Sequence, residues 1–246
     1  MSAAPSTFPG ATSVTLLDVY DDAGPDGLVG GTPHMHLAST ECYVVIGGSG
    51  ALHTLDLSGA RETELRPGSV VWFTPGTIHR AVNHGDLQVL VIMGNAGLPE
   101  SGDAVMTFPA EIVADPARYR EAATLSRRDR LEDTAADAAR RRDLAVEGFL
   151  SLRDALSAGD EQPLREFYRA ASSLVRSRAA AWREIIGAGP LAQATASVAV
   201  AQALAAGVGE HLASASLHRA PELSGERGFG MCGRLRAYDV TGAPGA

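Results

Sequence analysis

The sequence predicts an α+β chain, with a β-rich barrel or sandwich over residues 13–112 followed by an all-α region over residues 113–213. Two observations carry this. From Ser13 to Phe108 short apolar runs are broken by Gly, Pro, Asn and Asp, the grammar of many short strands. Beyond Asp115 apolar residues recur three and four positions apart, the spacing of amphipathic helices. Charge divides the same way. Residues 1–110 hold three Arg against eleven Asp and Glu, whereas residues 126–184 hold twelve Arg against eleven acids, so two differently built halves are expected.

Taken in order, residues 1–12 read as a flexible arm, with Ser2, Pro5, Ser6, Pro9 and Gly10. Strands are expected at Val14–Tyr20, Glu41–Ile46, Ala51–Leu57, Val70–Phe73, Ile78–Asn83 and Leu87–Met93. Gly47-Gly48-Ser49-Gly50 suits a tight hairpin, because glycine accepts positive φ. Asn83-His84-Gly85-Asp86 suits a turn with His84 on the surface. Three helices follow. One carries the stripe Ala145, Phe149, Leu152 and Leu156. The second carries Leu164, Phe167, Ala171, Leu174, Ala181 and Ile185, and the third Leu191, Val198, Ala201, Ala205, Val208 and Leu212. Breaks fall at Gly159-Asp160 and Gly187–Pro190. The stretch Leu191–Val208 is Ala-rich but interrupted by Gln193, Thr195, Ser197 and Gln202, which reads as a buried helix and not a membrane span. Residues 214–246 form a tail whose Phe229–Tyr238 cluster is expected to pack on the rest.

Composition excludes several functions. A formal charge of −8 argues against nucleic acid as a partner. All 21 basic residues are Arg, so a Schiff-base lysine and a P-loop are ruled out. Two cysteines, Cys42 and Cys232, make no disulfide framework and fit a reduced, cytoplasmic setting. Met1–Ser13 lacks the basic start and apolar core of a signal peptide. The runs Arg127-Arg128-Asp129-Arg130 and Arg140–Arg142 are mixed with acids and read as a solvated helix face.

The chemistry is concentrated in one constellation. His34 and His36 are two apart and share a strand face. Glu41 lies five residues on, an odd offset, so the chain must turn or bulge through Ala38, Ser39 and Thr40. His79 follows a Thr74-Pro75-Gly76 turn and opens another strand. Three imidazoles and one carboxylate suit Fe, Mn, Co, Ni, Cu or Zn better than Ca or Mg. Four protein ligands in octahedral geometry leave two positions open, the mark of a catalytic site.

These residues stand in a register that resembles the cupin family. Its first motif is met by His34, His36, Glu41 and Gly48, with the upstream Gly displaced to Gly27 or Gly30. Its second is met by Gly68, Gly76, His79 and Asn83, with Pro75 one place late. The nineteen residues between the motifs, Ser49–Pro67, resemble the spacing of small microbial cupins. The resemblance covers residues 27–95. It implies a double-stranded β-helix, or jelly roll, with one divalent metal held inside by His34, His36, Glu41 and His79, and it implies a homodimer.

Tyr43 and Val45 share the inward parity of Glu41. Tyr43 is the candidate substrate contact, and His53 the candidate acid–base group. One of Trp72 and Phe73 is expected to be plain core. Cys42 should point outward and Cys232 should pack. His211 and His218 carry no ligand spacing. The function this favours is a mononuclear metal enzyme acting on a small oxygen-bearing organic molecule. With Fe(II) the preferred metal, dioxygenase chemistry is expected, and scarce Arg between residues 13 and 110 speaks against a sugar phosphate. With Zn or Mn an isomerase, epimerase or lyase is the alternative, and a non-catalytic ligand-binding cupin is the third reading.

Overall fold

The computed structural model describes residues 7–125 and 131–240 of the chain. Of the expected arm, residues 1–6 lie outside this range, as does the whole 127–130 arginine run. The fold is α+β. Nine strands in one hydrogen-bonded sheet wrap into a jelly-roll barrel, and a helical layer follows.

The barrel is built on two long strands, β3 (Glu41–Asp56) and β6 (Ile78–Met93), which pair antiparallel along most of their length. The expected hairpin at Gly47–Gly50 and turn at Asn83–Asp86 are therefore corrected. Both segments lie within continuous strands, where the register shifts between Val45 and Gly50. The glycines serve close approach. A Cβ on Gly48 would lie 2.1 Å from the Asp86 carbonyl oxygen, and one on Gly50 would lie 2.2 Å from that of Val82. Such bulges bend the ribbon and let one strand serve both sides of a barrel. The reversal comes later, through Leu57 and Ser58, into β4 (Gly59–Leu65), a strand the sequence pattern does not flag. The remaining barrel strands are β1 (Ser13–Val19), β2 (His34–His36), β5 (Val70–Phe73) and β7 (Ala104–Met106).

Alternation along these strands creates two cores. Tyr43, Val45, Leu52, Leu65, Phe73, Ala81, Val89 and Val91 fill the barrel. On the outer side Met35, Leu55, Ile78 and Val105 join a second core with the helices α1 (Ala110–Val113), α2 (Pro116–Ala123), α3 (Leu131–Ser157) and α4 (Gln162–Ile186). In α4 the buried stripe runs Leu164, Phe167, Ala171, Val175 and Trp182. Its later members are one position beyond the expected Leu174 and Ala181. α3 comes closest at Gly148, where a Cβ would lie 1.9 Å from the Thr107 carbonyl oxygen.

Three further expectations are corrected. The helix α5 (Ala192–Ala205) has no buried residue, and Leu191, Val198 and Leu204 are exposed, so the Leu191–Val208 stretch is not buried among the described residues. No helix among them is long and apolar enough to cross a membrane. Arg141 and Arg142 are buried, not a solvated face. Arg141 donates to the Gly230 carbonyl, and Arg142 to the Asp22 and Ala23 carbonyls while pairing with Asp22 and Asp143. Arg141 thus ties the tail at Gly230 to the helical layer, and Arg142 ties the Asp22–Ala23 chain after β1 to it.

Those strands, β8 (Gly228–Phe229) and β9 (Gly233–Ala237), come from the tail. β9 pairs antiparallel with β1 from Val19–Gly233 to Thr15–Ala237. Just before it the Met231 carbonyl accepts from Thr32 and the Cys232 carbonyl from Tyr20. The segment 231–233 lies so close that a Cβ on Gly31 would meet the Cys232 Cα at 2.6 Å.

Candidate metal centre

β2 presents His34 and His36, β3 begins with Glu41, and His79 stands second in β6, paired with His34 across the ladder. One donor atom from each of the four lies within 4.8 Å of every other, and all four residues are buried. The His36 and His79 Nε2 atoms stand 3.1 and 3.2 Å from the same Glu41 oxygen. Metal–donor bonds of about 2.1 Å place neighbouring donors about 3.0 Å apart at right angles and about 3.4 Å apart at the tetrahedral angle. The spacing fits one ion. Glu41 Oε2 and His79 Nε2 are buried without a hydrogen-bond partner, a cost that coordination would remove.

The far side of each ring sets its tautomer. His34 Nδ1 lies 2.9 Å from the Thr32 carbonyl and His79 Nδ1 lies 3.2 Å from that of Thr77. A carbonyl only accepts, so both Nδ1 atoms carry a proton and both Nε2 atoms are turned to the common point. His36 Nδ1 stands 3.4 Å from Asp103 Oδ2. Asp103 is a residue the sequence patterns miss. It is fully buried, and its carboxylate accepts from the backbone N–H groups of Leu37, Ala38 and Ser39. That nest is the turn the odd His36–Glu41 offset requires. No spacing rule finds Asp103, because it comes from 62 residues beyond Glu41 in the chain, just ahead of β7.

The electrostatics follow from burial set against contact. Burial, with the neighbouring His79 and His36, drives the His34 pKa well below its usual value, so this imidazole is neutral. Burial alone would also lower His36, but Asp103 and Glu41 outweigh it and hold its pKa up at about 9. Burial would raise Glu41, yet His79 and His36 outweigh it and keep its pKa far below the usual carboxylate range. Asp103 is held low by His36 and the turn amides, against its burial.

The helical layer braces both motifs. The Tyr168 hydroxyl of α4 donates to the Gly76 carbonyl at 3.1 Å, and Gly76 N–H in turn donates to the His36 carbonyl at 2.9 Å. Thr107 Oγ1, just past β7, donates to the Ala145 carbonyl of α3 at 2.8 Å and lies 3.2 Å from that of Pro33.

Of the two candidate catalytic residues, the structure brings one to the cluster. Tyr43 is fully buried inside the barrel, its ring centroid 6.4 Å from that of His79 and its hydroxyl 3.5 Å from Cys232 Sγ. His53 is on the wrong face. His79 pairs with Thr54, so Thr54 shares its side and His53 points outward, where it meets Glu62 at 3.0 Å. Phe73 is core, with its ring 4.1 Å from that of His79, while Trp72 is 69% exposed. Cys42 and Cys232 are both free, and Cys42 points outward and is partly exposed. His211 and His218 lie on exposed chain beyond α5, away from the cluster's strands.

The family model described as the cupin domain matches residues 24–93. Residues 24–93 form a cupin domain. Among solved structures, a Klebsiella pneumoniae protein with a double-stranded β-helix domain is 19% identical, over 34% of this chain and 62% of its own, with a TM-score of 0.28. A TDP-fucose-3,4-ketoisomerase from Campylobacter jejuni is 13% identical, over 37% and 64%, with a TM-score of 0.30. A structure of the DMSP lyases RdDddP and RnDddQII aligns at 23% identity over 39% and 42%, with a TM-score of 0.29. The chain thus spans less than two thirds of each of these structures. No curated protein matches the sequence. The cupin domain supplies all four donors, while Asp103, Thr107, Tyr168 and Cys232 come from beyond its end.

Two expected outcomes test this geometry. Asp103→Ala removes the anchor of the His36–Glu41 turn and is expected to weaken metal retention about 10–100-fold, measured by chelator competition against the unaltered protein. Unchanged retention would refute the role given to Asp103. Burial, with Glu41 nearby, pushes the Cys232 thiol up from 9.0 to about 12. Because the folded value exceeds the ordinary one, this group's stabilisation is whole below pH 9.0 and is lost as pH rises toward about 12. Near neutral pH, iodoacetamide should therefore label Cys232 only after unfolding in urea, and mass spectrometry locates the label. Fast labelling of Cys232 in the folded protein would show that the tail does not seal the barrel.

Proposed function

We propose that the protein is a mononuclear metal-dependent cupin enzyme acting on a small oxygen-bearing organic molecule. The observation that carries this reading is the convergence of three imidazoles and one carboxylate, two of their donor atoms left without hydrogen bonds in a buried barrel. A bound transition metal would supply Lewis-acid polarisation of the substrate's oxygens and, as Fe(II), access to dioxygen chemistry.

The chain's own groups have distinct tasks. Glu41 brings a fixed negative charge, His34 a neutral imidazole, and both His34 and His79 are oriented by the Thr32 and Thr77 carbonyls. Tyr43 is a hydrogen-bond donor. Burial, with Cys232 and Glu41 nearby, drives its pKa well above 10, so at neutral pH it gives a hydrogen bond and does not act as a base. Phe73 and the barrel's aliphatic wall exclude water.

Dioxygenase chemistry with Fe(II) is our preferred reading. What supports it is the scarcity of bases. An isomerase or epimerase moves a proton with one, yet His53 faces outward, and Tyr43 and Cys232 are both held protonated. Lyase chemistry and a ligand-binding role without turnover remain the other readings of the same site. Elemental analysis of protein purified without added metal, followed by oxygen uptake with catechols and β-diketones, decides between them. Iron with uptake is the expected result. Zinc, manganese or nickel without uptake would replace the oxygen reading with the isomerase or lyase one. Binding without turnover under every metal would leave only the ligand-binding role.

The protein also works as a homodimer in this reading. The barrel's outer face carries two apolar rows running across four strands, Val14–Ile92–Cys42–Trp72 and Leu16–Leu90–Val44–Val70. Trp72 and Val70 are 69% and 53% exposed, and self-association would cover them. Light scattering is expected to give a dimer, and the pair Val70→Lys with Trp72→Lys a monomer. A monomeric unaltered protein would remove this proposal.

A further inference from the structure

We infer that the groove between α2 and α4 binds a small organic anion carrying at least two acidic oxygens, a phosphate ester or a dicarboxylate. This site is separate from the metal cluster and does not depend on it. The groove measures about 840 Å³, within the size range of small-molecule sites.

Its walls are two helix faces. α2 contributes Arg120, with Thr124 at its C-terminal end four residues on, and α4 contributes Ser173, Arg176, Ser177 and Arg178. Residues three and four apart on a helix share a face, so guanidinium and hydroxyl groups line the same trough. Among the described residues, no acidic residue lines it. This matters because the chain is acidic and its other exposed arginines are commonly paired. Arg61, Arg66, Arg153, Arg165, Arg169 and Arg219 each stand against a carboxylate. Among the described residues, Arg120, Arg176 and Arg178 have no such contact. The Arg178 guanidinium lies against Gly102 and donates weakly to the Leu174 carbonyl of its own helix.

Three like charges gathered in one concavity repel one another, and a bound anion relieves this. The floor is apolar and fixed. Tyr119 is buried, and its hydroxyl accepts the Met106 N–H at 3.0 Å, which leaves its ring and Leu174 to receive a carbon body. Free phosphate would use the charges alone, whereas an organic anion uses both parts. The chain's charge of −8 opposes a nucleic acid, which would need a wide basic face.

Isothermal titration of the full-length protein with phenyl phosphate, succinate and inorganic phosphate tests the proposal. Saturable one-to-one binding is expected for phenyl phosphate or succinate, and the tighter of the two identifies the acidic group. The pair Arg120→Gln with Arg178→Gln should weaken it by about tenfold or more. Both side chains are exposed, and an unchanged circular dichroism spectrum and metal content would show that the variant folds. Absence of saturable binding for all three probes overturns the proposal, as does equal affinity in the variant. Inorganic phosphate binding as tightly as phenyl phosphate overturns the part assigned to the apolar floor.

Discussion

An ionised carboxylate and three imidazoles lie together in the interior of a barrel, and the rest of the structure is arranged around the cost of keeping them there. Burying a lone charge in an apolar interior is expensive unless it is paired. Glu41 stays ionised because His36 and His79 stand against one of its oxygens, and His36 is supported in turn by Asp103. The chain from Asp103 through His36 to Glu41 is continuous charge compensation. Asp103 in turn depends on three backbone amides of the turn between the two ligands. Geometry and electrostatics at this centre are therefore one problem, solved by one buried carboxylate outside the ligand motif.

The helical region takes part in this solution. Its helices cover the outer face of the barrel strands that carry the donors, with Leu55, Ile78, Met35 and Val105 on one side and Phe149, Phe167 and Ala171 on the other. Tyr168 and the Thr107–Ala145 contact tie α4 and α3 to the chain around Gly76 and Pro33. The tail adds a second constraint. β9 extends the sheet beyond β1, and the preceding Cys232 enters the barrel beside Tyr43. Arg141 stabilises that arrangement by donating to the Gly230 carbonyl, and Arg142 holds the Asp22–Ala23 chain that follows β1, contacts that compensate the charge each buries.

The difference between the two halves lies in what local pattern can report. The cluster of His34, His36, Glu41 and His79 was legible because each of these residues is tied to a short motif, and the parity that placed Tyr43 and Val45 inward held in the structure. Strand continuity was not legible. Gly47–Gly50 has the composition of a hairpin, and only the partner strand's backbone, pressed against Gly48 and Gly50, turns those glycines into bulge positions. The same limit applies to His53. Its face depends on the register with Arg80 and His79, which those shifts determine. α5 reversed its expectation because an Ala-rich pattern gives hydrophobicity but does not say whether another element arrives to cover it.

By itself, the sequence determined the fold class, the change from strand to helix, and the four residues that meet inside the barrel, since all of these rest on periodicity and on spacings of a few residues. Tertiary structure alone decided that Asp103 anchors the ligand turn, that Cys232 meets Tyr43, and that the arginines of α2 and α4 share a groove. These pairings join positions far apart in the chain. Their partners are chosen by packing and by the need to compensate buried polar groups, and neither leaves a local mark in the order of residues.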